Sequence, residues 1–443
     1  MGRRQLPFMR WAKVVLGAVV ILGTLGVPGA AGAAPAASAE GAIAPGNSSG
    51  GRVLQPGPGG FVPITPFRVA DTRMLADPAA RRFNGAPNLN WGETRSLLVA
   101  DPADPTLPPG GAGAVTLTLT VLNAPADGYV SLWPGDQPWP GTSSINFTAG
   151  QIVSNSVTVQ LDLSGRLNLY SLVPVNVIVD VNGWYATQPV SGPAAGGGFY
   201  GTRPVRLLDT RAPTDTKPTN GGYRHMAIPV PDELIHAGAR AVSINLTITE
   251  PGASGWAAIV PSGVWPPPVS HVNYAPGQTV SNEVIIELGA RNSVYVYVRG
   301  SAHVIADLTG YFTAGPTIPG GYVPVAGGGS RVMDTRIPQG NYSYDPAHDA
   351  RLLIIGGSSG VPTSAGAAAM NITAVQPLVS GFVRAWPDST HAPGVSHLSV
   401  DANSVAAVGL SVSLGPSLGV LIGSNAAPHL VVDLMGWYAS SYV

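Results

Sequence analysis

There is no cysteine anywhere in the 443 residues. Disulfides, thiolate metal sites, a cysteine nucleophile and a lipidated cysteine anchor are therefore excluded. Charge is scarce as well. Asp, Glu, Lys and Arg together make up 11% of the chain, against roughly 25% in an average soluble domain. Lysine is nearly missing, and beyond residue 39 only Lys217 remains. A chain so poor in cations has no electrostatic footprint for nucleic acid or anionic lipid. Helical periodicity is missing too, apart from one turn's worth at PDELIHAG, residues 231–238. No Leu-Pro-x-Thr-Gly-like sorting signal is present, so free secretion or non-covalent surface retention is expected.

What is present at the N-terminus reads as an export signal over residues 1–39. Arg3, Arg4, Arg10 and Lys13 precede the apolar stretch VVLGAVVILGTLGV at 14–27. That stretch is shorter than the ~20 residues needed to span a bilayer. Small-residue cleavage sites follow at Ala31-Gly32-Ala33 and Ala37-Ser38-Ala39. Arg3-Arg4 leaves both the general and the twin-arginine route open. Cleavage would take the formal charge from −1 to −5, with no membrane insertion afterwards. Residues 40–58 read as a Pro/Gly-rich linker.

Gly (57) and Pro (43) are abundant but aperiodic, and the apolar stretches between them are short and regular. That pattern specifies turn-dense, all-β structure. A unit of about 125 residues, the size of one β-sandwich or jelly-roll domain, recurs three times, at 59–188, 196–314 and 320–443. Each opens with Gly-Gly-aromatic: GGFVP at 59, GGFYG at 197, GGYVP at 320. Then come RVADTR (68–73), RLLDTR (206–211) and RVMDTR (331–336). An alternating strand follows: VTLTLTV (115–121), VSINLTI (242–248), AMNITAV (369–375). Its period of two predicts a half-buried strand with Thr and Asn on the polar face. Next are SSINFTAGQIVSNSV (143–157) and SHVNYAPGQTVSNEV (270–284); the third copy, SHLSVDANSVAAV (396–408), lacks the Gly-Gln. Each unit closes with VIVDVNGWY (177–185), VIADLTGYF (304–312) or LVVDLMGWY (430–438). Seven to nine short strands are expected per unit. The units would lie either as beads on a string or as a compact pseudo-threefold assembly. Propeller blades, at about 40–50 residues per repeat, fit less well.

The closing strands are apolar on both faces except for one Asp. Such a carboxylate must be paired and hydrogen-bonded. The Arg of Asp-Thr-Arg is expected to fork onto that Asp, Arg73 with Asp180, Arg211 with Asp307 and Arg336 with Asp433, or onto nearby carbonyls. Asp71, Asp209 and Asp334, with their neighbouring Thr, would cap the adjacent turn. The rivals are a calcium site using both Asps, which lacks the six to eight oxygen ligands that calcium takes, and catalysis. A catalytic set need occur only once, whereas these residues recur in every unit. Glycosidase carboxylate pairs are missing, and neither Gly-x-Ser-x-Gly match, at 46–50 or 356–360, is followed by the helical pattern of a nucleophile elbow. His271 and His397 occupy equivalent positions, as do His303 and His429; they read as strand residues at a shared surface. No metal or other cofactor is implied. The sequons NLT, NIT and NFT read as polar strand faces.

Aromatics are the residues that could bind. Trp139 and Trp265 lie in Pro-rich loops, and Tyr129, Trp256 and Phe382 are equivalent to one another. Trp386 matches Trp133. Aromatics of this kind stack on sugar rings or anchor a protein partner.

The repeat resembles one found in secreted proteins of actinobacteria and some other soil bacteria. Its marks are Arg-[Val/Leu]-x-Asp-Thr-Arg, Asn-x-Thr, Ser-x-x-Asn-Phe with Gly-Gln and Ser-Asn, and Val-Asp-x-x-Gly-[Tyr/Trp], over roughly residues 59–439. The resemblance implies export and a β-rich domain, and brings no activity with it. The expectation is a secreted, non-enzymatic, cell-surface or matrix protein of three tandem β-sandwich units, with a cell-wall glycan or other polysaccharide, or its own copies, as partner. An extracellular carbohydrate-active enzyme and an exported fibre are the alternatives.

Overall fold

The computed structural model describes residues 59–73, 88–104, 108–109, 111–187, 197–212, 223–313, 320–337, 339–388 and 390–440. The expected signal segment (1–39) and linker (40–58) lie outside these. Among the described residues the chain is almost wholly β. The first repeat contributes β1 (Phe61–Asp71), β2 (Glu93–Leu98), β3 (Ala112–Leu122), β4 (Gly128–Pro134), β5 (Ile145–Phe147), β6 (Val153–Gln160), β7 (Arg166–Ser171) and β8 (Asn176–Ala186). The second contributes β9 (Phe199–Asp209), β10 (Tyr223–Ile228), β11 (Ala239–Thr249), β12 (Gly255–Pro261), β13 (Val272–Tyr274), β14 (Val280–Glu287), β15 (Val294–Arg299) and β16 (His303–Thr313). Its α-helical turn, α1 (Asp232–His236), falls where the sequence places one. The third contributes β17 (Tyr322–Pro324), β18 (Ser330–Asp334), β19 (Gln339–Gly340), β20 (Tyr342–Asp345), β21 (Ala350–Ile354), β22 (Ala365–Val375), β23 (Gly381–Pro387), β24 (Leu398–Val400), β25 (Val405–Ser413), β26 (Gly419–Ser424) and β27 (His429–Ala439).

These strands make six antiparallel sheets, two from each repeat, in the same order each time. The sheet β1-β8-β3-β6 is matched by β9-β16-β11-β14 and by β18-β27-β22-β25. The sheet β2-β7-β4-β5 is matched by β10-β15-β12-β13 and by β21-β26-β23-β24. Within a repeat the two sheets share one apolar core. In the first, Leu117, Leu119 and Val179 of one sheet pack with Leu132, Leu167 and Leu169 of the other. The second and third repeats have equivalent cores of their own.

The six sheets close into a ring, a propeller-like arrangement. Propeller blades were disfavoured from the sequence because one repeat is too long for one blade. The resolution is that each repeat supplies two sheets. The described residues belong to one compact body rather than to a string. What closes the ring is the opening motif. Gly59 and Tyr322 exchange backbone hydrogen bonds at 2.9 and 2.8 Å, and Phe61 and Gly197 do so at 2.8 and 3.1 Å. Phe199 N–H donates to Gly320 O at 2.9 Å. The three Gly-Gly-aromatic segments thus pair with one another at the centre.

Their side chains meet the closing aromatics there. Phe61 lies 4.5 Å from Phe312, Phe199 lies 4.7 Å from Tyr438, and Tyr322 lies 4.5 Å from Tyr185, each across a repeat boundary. Within repeats, Phe61–Tyr185, Phe199–Phe312 and Tyr322–Tyr438 are 5.0, 5.1 and 5.3 Å apart. Six buried rings therefore form a closed circuit. This explains the Gly before each closing aromatic pair. A Cβ at Gly183 would sit 2.2 Å from Phe61 Cζ, and at Gly310 and Gly436 it would sit 2.5 and 2.4 Å from Phe199 and Tyr322.

The alternating strand differs from expectation. β3 is buried on both faces along its whole length. The Thr face, Thr116, Thr118 and Thr120, looks into the middle of the ring rather than into solvent. Sequence periodicity reports polarity, and here the polar face is covered by the neighbouring repeats.

Candidate functional site

The Asp-Thr-Arg segments end the first strand of each repeat. The closing Asp does receive a forked guanidinium, but from the other arginine of the motif. Arg68 Nε and Nη2 donate to Asp180 at 2.9 and 3.2 Å. Arg206 holds Asp307 at 2.8 and 3.2 Å, and Arg331 holds Asp433 at 2.9 and 3.2 Å. Arg68 lies directly opposite Asp180 in the β1–β8 register, just before a bulge. The expected pairings of Arg73, Arg211 and Arg336 with the closing Asps are therefore corrected. Arg73 folds back onto its own Asp71 at 2.9 and 2.7 Å, because it sits in the turn and not in the ladder. Arg211 and Arg336 do the same with Asp209 and Asp334.

The turn-capping part holds as expected. Asp71 Oδ1 accepts from Arg73 N–H at 3.0 Å, and Thr72 Oγ1 accepts from Val177 N–H at 2.9 Å. Burial pushes the Asp180 carboxyl up to about 6, against the downward pull of Arg68. Burial also acts to raise Asp71, but the Arg73 bonds and the two guanidinium charges outweigh it and leave the group below its ordinary value. With every carboxylate oxygen facing a guanidinium or an N–H, this cluster is scaffold chemistry. Among the described residues no group of three or more His, Cys, Asp or Glu is placed to hold a metal ion.

The other repeat motifs also work between repeats. Asn245 Nδ2 donates to Ser396 O at 2.6 Å and Asn371 Nδ2 to Ser143 O at 2.7 Å. The first copy has Thr118 here and lacks that link. The Ser-Asn asparagines cap strands next door. Asn155 Oδ1 accepts from Gly409 N–H, and Asn282 Oδ1 from Ser156 N–H, both at 2.8 Å. The third repeat has Val408 at this position. Glu283 bridges that seam instead. Its Oε2 accepts from Ser411 N–H at 3.0 Å, and its Oε1 from Ser243 Oγ at 2.6 Å and Thr309 Oγ1 at 3.3 Å. Burial raises the Glu283 carboxyl to about 7, tempered by those three donors.

His271 and His397 are buried, and their Nδ1 atoms accept from Ile259 and Ala385 N–H at 3.1 and 3.2 Å. Burial lowers them to about 3 and about 4, so they are neutral strand caps. Ser144 caps Leu132 N–H in the same way.

Two features remain with room for a ligand. One is a cavity of about 1070 Å³ where the three repeats meet, on the side of the ring carrying β5, β13 and β24. The other is a pair of exposed aromatic platforms. Trp139 is 39% exposed. It stacks on Tyr129 at 6.5 Å and 11°, and leans on Tyr170 at 5.9 Å. Trp265 is 57% exposed and lies 5.0 Å from Tyr297, itself beside His225 and Tyr295. Tyr170 and Tyr297 occupy the same place in the two outer sheets, opposite Ser131 and Ala258.

The other candidate aromatics fare differently. Trp386 is 2% exposed and is corrected to a core residue; its indole packs over Gly423, where a Tyr would not fit, and its Nε1 donates to Thr390 O. Tyr129, 8% exposed, is the support beneath Trp139. Phe382 is covered by the Arg384 guanidinium at 5.1 Å. Trp256, half-buried, lines the cavity. Tyr170 and Tyr297 were not singled out from the sequence, since strand tyrosines are common and only the register shows that a loop Trp sits on each. Trp91, 65% exposed, lies in the first repeat's insertion and has no described counterpart.

No protein-family model matches the chain, and no curated protein matches it. Solved structures give faint likenesses. A chain from the atomic structure of Sulfolobus turreted icosahedral virus is 10% identical with a TM-score of 0.18, covering 81% of this chain and 86% of that one. A chain described for the triple jelly roll fold and turret assembly in an archaeal virus gives 10% and 0.17 over 80% and 85%. The N-terminal tandem CBM22 domain from a Paenibacillus barcinonensis protein gives 7% and 0.17 over 53% and 98%. Scores this low carry no inference about this chain.

Proposed function

We propose that the chain is an exported, non-enzymatic binding protein that attaches to an extracellular polysaccharide through the Trp139 and Trp265 platforms. The observation that supports this reading is the recurrence of an exposed loop Trp braced on an outer-sheet Tyr, at equivalent places in two repeats. A flat, rigid aromatic face of this kind matches the apolar face of a sugar ring. Bracing also lowers the conformational entropy lost on binding. Two such platforms, held by one compact body of three sandwich units, would bind a polymer with many equivalent sites more tightly together than either does alone. Export is supported by the basic and apolar segments within residues 1–39.

Cosedimentation with insoluble cell wall, chitin and cellulose, beside a particle-free control, tests the reading. Pelleting with one polymer and not in the control supports it. Pelleting in the control as well would replace it with self-assembly. Pelleting nowhere would overturn it.

A further inference from the structure

The cavity at the junction of the repeats follows the pseudo-threefold pattern of the ring, and the pattern fails at one seam. Asn146, Asn273 and Ser399 are equivalent, each in the middle of its short strand. Asn273 Nδ2 donates to Ser154 Oγ of the first repeat at 2.7 Å, and Ser399 Oγ meets Ser281 Oγ of the second at 3.2 Å. The register places Ala407 of the third repeat where Ser154 and Ser281 stand. With no hydroxyl there, Asn146 spends only its Oδ1, which accepts from Ser143 Oγ at 2.9 Å. Its NH₂ group is left for a ligand.

Two more amides share this condition. Gln151 Oε1 accepts from Thr148 N–H and Gln278 Oε1 from Ala275 N–H, both at 3.1 Å. These bonds fix each carboxamide's orientation and leave its NH₂ group unspent. All three side chains line the cavity, together with Trp256 and Tyr274. The charged lining residues are Arg299 and Asp401, both exposed. The volume, about 1070 Å³, lies just above the ~300–1,000 Å³ usual for small-ligand sites. A sugar fits this lining: its oxygens accept several N–H bonds, it brings no charge and its ring offers an apolar face.

We propose that this cavity binds the end of an uncharged oligosaccharide, held by Asn146 Nδ2, Gln151 Nε2 and Gln278 Nε2. The site is separate from the Trp platforms and is read with soluble ligands rather than by pelleting.

The experiment is titration of the protein with chitotriose, cellotriose and maltotriose, each to about 10 mM, where even a site with a Kd of ~1 mM is mostly filled. Asn146→Asp and Gln278→Glu keep the oxygen that braces each side chain and remove the donor. Each is expected to melt like the wild type and to weaken binding of one trisaccharide about tenfold, the loss of an amide hydrogen bond. Ile152→Trp, at a lining position 48% exposed, provides a second test by filling the space. The titrations are made in the Trp139→Ala/Trp265→Ala background as well as in the wild type, so that sugar held by the platforms is subtracted. The proposal is overturned if no trisaccharide binds, or if the Asn146, Gln278 and Ile152 variants all bind as the wild type does. Absence of all trisaccharide binding in the double Trp background would also overturn it, by assigning the sugar to the platforms.

Discussion

Replacing Glu283 by Gln removes a buried acid that the fold holds near neutrality. The side chain is 4% exposed, and its oxygens are met by two hydroxyls and one N–H, with no cation among them. Burial raises the carboxyl from its ordinary value of 4.5 to about 7. The folded chain therefore keeps this proton between pH 4.5 and 7, where the unfolded chain has released it. Stability contributed by this group falls as pH rises through that window. At about 1.4 kcal/mol per pH unit, the full cost above pH 7 is roughly 3 kcal/mol. Gln has the same shape, can accept from Ser411 N–H and can donate to Ser243 Oγ. Urea unfolding followed by tryptophan fluorescence should give matching stabilities below pH 4.5, and by pH 8 a variant more stable by about 3 kcal/mol. Parallel curves would refute the raised carboxyl, and a variant less stable at pH 8 would make Glu283 an anion the fold needs.

The two arginines of the motif should separate. Arg68→Ala strands the buried Asp180 and should cost about 3–5 kcal/mol, while Arg73, 41% exposed at its side chain, should cost about 1 kcal/mol or less; equal losses in denaturant titration would count against the register described. Gly183→Ala drives a methyl into Phe61 and should cost about 1–3 kcal/mol or more, with the same sign at Gly310 and Gly436, read as a lowered melting temperature. Because the six-ring core belongs to all three repeats, calorimetry should show one unfolding transition over the described body; three resolved transitions would contradict a shared core.

Much of this was legible in the sequence. Strand alternation, the Gly/Pro turns and the triple repeat gave the all-β reading, and the lone Asp of each closing strand called for an arginine. The choice between Arg68 and Arg73 needed the register, because i−3 lies in the ladder and i+2 in the turn. The Gly-Gly-aromatic, Asn-x-Thr and Ser-Asn motifs were visible but not their role. They act across repeat boundaries, and sequence pattern within one repeat carries no trace of its neighbour. Trp139 and Trp265 stood out by lying in Pro-rich loops, whereas their supports Tyr170 and Tyr297 did not. The cavity donors were hidden for a related reason: Asn146 is distinctive only because Ala407, 261 residues later in the chain, lacks a hydroxyl.

The most direct test of the central claim is cosedimentation of the wild type and of the Trp139→Ala/Trp265→Ala variant with the polymer that the wild type pellets with. The account predicts that the variant stays folded, with a melting temperature lowered only by the loss of the Trp139 contacts to Tyr129, Tyr170 and Ser131, and stays in the supernatant. Each single variant should retain part of the binding. A double variant that pellets as the wild type does would contradict the account and move the binding surface elsewhere on the ring.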